Sequence, residues 1–275
     1  KKEDKLSIFY YLCSKDNLKS QFTMKKTFSL LIALMLTSAT FAQTQIIAHR
    51  GYHAKNSTDN SISALRNAQD INVYGSECDL NLTSDGFIVV AHGPNHGTHR
   101  IQSTDFKTLR QQFLKTGEVL PLFEEYLEAV KRKPETKLII EIKNHATPQR
   151  ETELVKNVLK AVKKHKLEKH VEYIAFRQHV CNELVALGGK GIKVAYLNGD
   201  LSPEYCKGMG YTGIDYNFNV LKKRPEWIHE AHKHGLTVNV WTVNNPENLK
   251  WCVDNKVDFI TTDTPEEAKK IAEGK

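Results

Sequence analysis

From residue 46 to its end the chain alternates short apolar, β-branched runs with longer amphipathic stretches, and that alternation leaves few folds open. The runs that read as strands are IIAHR (46–50), ECDLNL (77–82), FIVVAH (87–92), KLIIEIK (137–143), VEYIAF (171–176), KVAYLN (193–198), GIDYNF (213–218), TVNVWTV (237–243) and DFITTD (258–263). Between most of them lie segments with helical spacing, among them SISALRNAQD, PLFEEYLEAVKRK with Pro121 at a helix start, TELVKNVLKAVKKH, RPEWIHEAHKHG and PENLKWCVDNK. Strand, helix, strand repeated in this way means a mostly parallel sheet.

Nine strands are one more than an eight-stranded barrel needs. Residues 77–82 and 87–92 are separated only by TSDG, whereas a parallel crossover takes about a dozen residues. The two runs therefore form an antiparallel hairpin. With the turn centred between Ser84 and Asp85, Glu77 lies opposite His92 and Asp79 opposite Val90. Setting the second hairpin arm aside leaves eight parallel strands, a (β/α)8 TIM barrel of the usual size with an antiparallel hairpin extension after strand 2.

The N-terminus is excluded from that fold. From Met24 the chain reads MKKTFSLLIALMLTSATFAQ, with two lysines, an apolar run and a small-residue cleavage site at Thr40-Phe41-Ala42. Residues 24–42 are expected to be a secretory signal peptide, because the apolar run is too short for ~30 Å of hydrocarbon. Residues 1–23 read as a non-native upstream extension, and 43–275 as a single barrel domain, periplasmic or secreted, with no stable membrane insertion after cleavage.

Without residues 1–42 the chain has 32 basic and 29 acidic residues, a net charge of about +3. That balance argues against nucleic acid, which wants a clustered basic face. The densest basic run, KAVKKHKLEKH (160–170), fits the solvated side of a helix whose apolar side is Leu159, Val162 and Leu167. Cys78, Cys181, Cys206 and Cys252 are widely spaced; three pairings are open to them, but a domain this large does not need disulfides. No short Cys/His spacing points to zinc. The oligomeric state is not encoded in any of these patterns.

In a barrel of this kind the active site lies at the carboxyl ends of the strands, so polar residues ending apolar runs become candidates. Strand 1 offers His49 and Arg50, strand 2 Glu77 and Asp79, the hairpin His92, the next parallel strand Glu141 and Lys143, and a late strand Trp241. Alternation places Glu77 with Asp79, and Glu141 with Lys143, on one strand face. Each has a plainer reading: a water-facing edge strand, a satisfied core histidine, a core tryptophan. Their joint placement on one barrel face outweighs those readings. Three carboxylates without cysteine select Mg2+ or Ca2+ over zinc. Such an ion beside Arg50 and Lys143 makes a phosphate site, and His49 and His92 can act there as general base and general acid.

AHRGYHAKNSTDNSISAL, GSECDLNLTSDGFIVVAHG, LPLFEEYLEAV, LIIEIK and VNVWTVN followed by DFITTDTPEEA occur in that order over nearly the whole chain after residue 42. Together they resemble the glycerophosphodiester phosphodiesterase family. The resemblance implies a TIM barrel that uses a divalent ion to hydrolyse glycerophosphodiesters to glycerol 3-phosphate and an alcohol. It implies that Glu77, Asp79 and Glu141 bind the metal, that His49 and His92 are the acid/base pair, that Arg50 and Lys143 bind phosphate, and that Trp241 lines the glycerol or leaving-group side. Two positions depart from the family pattern. Thr58-Asp59-Asn60-Ser61 stands where the family usually has Pro-Glu-Asn-Thr, and Gly93 follows His92 where it usually has Asp.

Two other functions remain in view. A phospholipase C- or D-like enzyme on the same barrel predicts an apolar rim at the mouth, and no obvious apolar run occurs in the loops after His92 or Trp241. A weakly catalytic phosphoglycerol-binding protein is compatible with the departures at 59 and 93, but all three acids and both histidines are present. A glycosidase built on paired carboxylates would leave Arg50 and Lys143 without a purpose.

Overall fold

All nine sequence-read runs are strands, and eight of them close on themselves. The computed structural model describes residues 43–54 and 56–275, so the expected signal segment and the expected upstream extension lie outside the described residues. The parallel strands are β1 (Gln45–Ala48), β2 (Gly75–Leu82), β6 (Lys137–Ile142), β7 (Val171–Ala175), β8 (Val194–Tyr196), β9 (Gly213–Asn217), β10 (Thr237–Trp241) and β11 (Phe259–Thr262). Each pairs with the next in chain order, β11 pairs with β1, and β1 pairs with β2 to complete the barrel. On the helical layer lie α1 (Ile62–Asp70), α3 (Phe123–Val130), α4 (Pro148–His165), α5 (Gln178–Leu187), α6 (Pro203–Gly208), α7 (Phe218–Lys223), α8 (Glu226–Lys233), α9 (Pro246–Asp254) and α10 (Pro265–Ala272). The loop region after the hairpin carries a small ladder, β4 (Asn95–His96) with β5 (His99–Arg100), and one helical turn, α2 (Phe106–Leu109).

Local chemistry sets the helix starts. Ser61 caps α1 by accepting from the Ala64 N–H, and Thr147 caps α4 ahead of Pro148. Pro121 lies two residues before α3; the chain turns helical at Phe123, where Glu125 reaches back to accept from the Leu122 N–H at 3.0 Å. The basic run behaves as a solvated face only as far as Lys166, whose left-handed φ of 59° ends α4. Leu167 is buried beyond that cap.

The hairpin register differs from the expected one by a single residue. β3 (Ile88–Val90) pairs antiparallel with β2 as Leu80↔Val90, Asn81↔Val89 and Leu82↔Ile88. The cause is the turn: the Thr83 N–H donates to the Phe87 carbonyl, leaving a three-residue loop in which Gly86 takes φ 87°, a conformation that favours glycine. Val90 therefore faces Leu80 and not Asp79, and a one-residue slip exchanges the faces. His92 is not opposite Glu77 in a ladder, because β3 stops at Val90 and leaves His92 in the following loop.

The pairing registers align one set of lumen-facing positions around the barrel, including Ile47, Glu77, Glu141, Ile174, Asp215, Asn239 and Thr261. Below the polar groups the lumen is apolar, with Ile47, Ile139, Ile174 and Leu197 packed together and the last two reaching the mouth. Tyr74 packs against Phe259 with the rings tilted by 39° and their centroids 4.6 Å apart. The larger core lies between strands and helices and includes Leu65, Val155, Leu184, Ile228 and Leu249. Burying each such side chain contributes ~1.5–3 kcal/mol, and this excess lets the carboxyl half of the lumen carry polar groups. Cys78, Cys181, Cys206 and Cys252 are buried, free thiols in this core, so none of the three pairings is made.

Candidate active site

The β1 strand ends at Ala48, and a tight turn aims the next two side chains into the barrel mouth. His49 N–H still bonds the Thr262 carbonyl at 2.9 Å, which fixes the ring beside β11. Arg50 has φ 53° and Gly51 φ 80°. A Cβ at Gly51 would stand 2.7 Å from Ala64 of α1, so glycine is required on both steric and backbone grounds. Through this turn the Arg50 N–H donates to Glu77 Oε2 at 2.8 Å, tying the first strand end to the acid cluster.

Glu77, Asp79 and Glu141 are buried, and each offers an oxygen within 4.8 Å of the others. Alternation along β2 and the register Asp79↔Glu141 bring them together, as the sequence pattern anticipates. Burial pushes the Glu77 carboxyl well above the usual range, and the Asp79 and Glu141 charges push it further. Glu141 is raised to about 7, by burial first and then by Asp79. Asp79 goes the other way: burial alone would raise it, but Lys143, the Asn60 amide and Arg50 together hold it below its ordinary value. Glu77 Oε1 is buried with no hydrogen-bond partner.

The cations sit against these acids. Lys143 Nζ is 2.7 Å from Glu141 Oε1 and 3.3 Å from Asp79 Oδ1. Arg50 Nε lies 3.4 Å from Asp79 Oδ2, and its Nη1 lies 3.5 Å from Asp59 Oδ2. Asp59, the shortened acid of the family comparison, thus reaches Arg50 at the half-open rim and is not among the three clustered carboxylates. His145 braces the Lys143 segment: its Nδ1–H donates to the Lys143 carbonyl at 2.8 Å and its Nε2 accepts from the Leu82 N–H at 3.0 Å.

His49, Arg50, Glu77, Glu141, Lys143 and Trp241 all line one cavity of about 120 Å³, together with His92, Phe176, Leu197 and Asp215. A second cavity of about 230 Å³ shares His92, Glu141, Lys143 and Phe176 and continues over Asn81, Gly93, Pro94, Gln102 and Asn144. All eight residues expected at the site are therefore brought to one mouth, Asp79 through its ion pairs to Arg50 and Lys143. Trp241 is held by an indole N–H bond to the Asp215 carbonyl at 2.9 Å and meets Phe176 edge-on at 5.6 Å. His92 is exposed at the rim; partial desolvation of its ring lowers its pKa, Asp79 opposes that, and Lys143 and Arg50 reinforce it.

Several residues that build the site were not among the sequence candidates. Asp263 accepts from His49 Nδ1 at 2.7 Å and from His53 Nε2 at 3.2 Å, while its other oxygen accepts from the Asn244 amide at 2.7 Å. Burial would raise Asp263, yet these bonds hold it well below the ordinary carboxylate range. An ionised Asp263 can only accept, so His49 donates from Nδ1 and its Nε2 is the ring atom turned to the cavity's chemistry. Asn60, at φ 61°, donates to Asp79 Oδ2 at 2.8 Å and accepts from the Asp79 N–H at 3.0 Å. Asp263 ends the last strand and so satisfied the rule that found His49. Asn60 carried only the weak signal of an Asn before a helix cap.

A model of the glycerophosphoryl diester phosphodiesterase family matches residues 49–267, from the first candidate histidine to the start of α10. The chain belongs to that family. It is accordingly a phosphoric diester hydrolase. It is 27% identical over 249 residues to a glycerophosphodiester phosphodiesterase of Caldanaerobacter subterraneus subsp. tengcongensis, covering 82% of this chain and 96% of the relative. Its fold is similar to a crystal structure of a glycerophosphodiester phosphodiesterase from Parabacteroides distasonis, with a TM-score of 0.83, 41% identity, and coverage of 84% and 98% of the two chains. At 18% identity and a TM-score of 0.73 it shares its fold with an Oleispira antarctica phosphodiesterase solved in complex with the product sn-glycerol-3-phosphate, over 84% of this chain and 97% of that one.

Proposed function

We propose that this family member hydrolyses glycerophosphodiesters to glycerol 3-phosphate and an alcohol, with His49 and His92 as its proton-transfer groups. The observation that carries the reading is the shared cavity lining: two imidazoles, Arg50, Lys143 and two of the three clustered carboxylates face one small space. The names of the curated relatives and the glycerol 3-phosphate in the Oleispira structure support the substrate class.

Glu77, Asp79 and Glu141 would hold a divalent cation. The three-oxygen cluster and the unpartnered Glu77 Oε1 fit such an ion, and an all-carboxylate donor set favours Mg2+ or Ca2+. When bound, the ion supplies positive charge to the non-bridging phosphate oxygens. Arg50 and Lys143 grip the phosphate from the sides, each already held in place by Asp79. Asp263 fixes the His49 ring so that Nε2 is free to take or return a proton through the cavity. His92, which borders both cavities, lies where a departing alkoxide would need one. Phe176 and Trp241 exclude water and pack against carbon.

The test is a panel of glycerophosphocholine, -ethanolamine, -glycerol and -inositol with and without EDTA. Turnover lost on chelation and restored by Mg2+ or Ca2+ is the expected result. Full turnover in EDTA would contradict the metal assignment, and no turnover of any member would contradict the activity. The signal-like segment 24–42 supports export, checked by fractionating cells for the cleaved chain. Among the described residues no helix is long and apolar enough to cross a membrane.

A further inference from the structure

We propose that Asp215 is a substrate-binding residue that recognises a free hydroxyl group of the glycerol arm. The inference rests on the glycerophosphodiesterase reading above and adds the residue that makes the enzyme select glycerol.

Asp215 sits in the middle of β9, faces the lumen and is only 1% exposed. It lines the smaller cavity with His49 and Glu77, yet it stands outside the cluster of three acids whose oxygens lie within 4.8 Å of one another. Its Oδ1 is buried and has no hydrogen-bond partner. A buried polar atom left without a partner costs ~1–3 kcal/mol, and such atoms persist where a ligand completes them. The surroundings say which ligand. Ile174, Leu197 and Trp241 form a carbon wall beside the carboxyl group. A short carbon chain ending in a hydroxyl matches that wall and that acceptor, whereas a charged or bulky headgroup does not.

A phosphodiester has two arms, and the two cavities divide them. Both cavities share His92, Glu141, Lys143 and Phe176, the groups that surround the phosphate position. The larger, amide-lined one suits the variable alcohol, and the smaller one suits glycerol. The indole N–H bond from Trp241 to the Asp215 carbonyl and the register Asn239↔Asp215 hold the residue in position. Asp215 also borders a cavity of about 320 Å³ toward the amino ends of the strands, and a role there would be purely structural.

The experiment compares glycerophosphocholine with propylphosphocholine, which lacks both glycerol hydroxyls, in the wild-type chain, Asp215→Leu and Asp215→Asn. For Asp215→Leu, kcat/KM on glycerophosphocholine should fall roughly 10- to 100-fold, while propylphosphocholine should change by no more than about twofold. Asp215→Asn keeps a donor and an acceptor and should recover most of the loss. The Tm of Asp215→Leu should change little, because the buried Oδ1 that has no partner is lost together with the bond the carboxyl group makes to the Asn239 side chain, and a similar apolar shape replaces it. An unchanged ratio of the two substrates, or an equal fall on both, overturns the proposal while leaving the phosphodiesterase reading intact. A wild-type chain inactive on glycerophosphocholine and its relatives overturns that reading itself, and the proposal with it.

Discussion

Replacing Asp263 by Asn probes the proton-transfer machinery through a residue that need not touch substrate. Asp263 Oδ1 accepts from His49 Nδ1 at 2.7 Å, and the same oxygen takes a longer bond of 3.2 Å from His53. An amide keeps the shape and removes the charge that fixes the His49 proton on Nδ1. A hydrogen bond to a charged group contributes ~1.5–3 kcal/mol, so at ~1.4 kcal/mol per decade kcat should fall about 10- to 150-fold. KM should change little, because Arg50 and Lys143 are not in contact with Asp263. Steady-state kinetics reads this out as a fall in kcat at a nearly constant KM. A second readout is stability: the folded-state pKa of Asp263 is lowered, so its contribution is present above the ordinary range near 4 and lost as pH falls below it. Asp263→Asn should flatten that acid limb. An unchanged kcat together with an unchanged acid limb of stability would refute the assignment of Asp263 as the group that positions His49.

Stability in EDTA should depend on pH in the opposite sense between mildly acid and neutral pH. The raised carboxyl groups Glu77 and Glu141 favour the folded state while protonated, and Glu141 loses that contribution as pH rises from about 4.5 through its value near 7. Differential scanning calorimetry should therefore show Tm falling over that window in EDTA and a marked rise when Mg2+ or Ca2+ is added. Glu141→Gln should weaken divalent-ion binding, measured by titration calorimetry, by at least the roughly 10- to 100-fold that loss of an outer-shell partner costs. His49→Ala should abolish turnover yet bind the ion as the wild type does; retained turnover would remove its role. Asn60→Ala should cost about 2–4 kcal/mol in denaturant unfolding, since it strips two bonds from buried Asp79 and places Ala at a left-handed φ; a loss below ~0.5 kcal/mol would contradict its bracing role.

Much of this fold was legible because parallel barrel strands are buried on both faces and so appear as dense apolar runs such as LIIEI. Helices such as α6 and α7 were less distinct, being six residues each and defined by packing more than by periodicity. The hairpin register was missed by one because it depends on whether Gly86 takes a left-handed φ, which the letters TSDG do not decide. Within the site, groups ending strands were found by position, and the structure brings all of them to one mouth. What stayed hidden were partners that act at a distance in sequence: Asp263 is 214 residues from His49, and Asn60 is 19 from Asp79. Asp215 was hidden for another reason. It lies mid-strand, where a lone acid in GIDYN looks like a lapse in a buried run, and only the closed barrel shows that it faces the cavity.

The most direct test of the central claim is anomalous diffraction from crystals soaked in Mn2+ with glycerol 3-phosphate. The account predicts one strong metal peak within coordinating distance of Glu77, Asp79 and Glu141, with the phosphate beside it between Arg50 and Lys143. A metal peak elsewhere, or a phosphate bound away from those two cations, would contradict it.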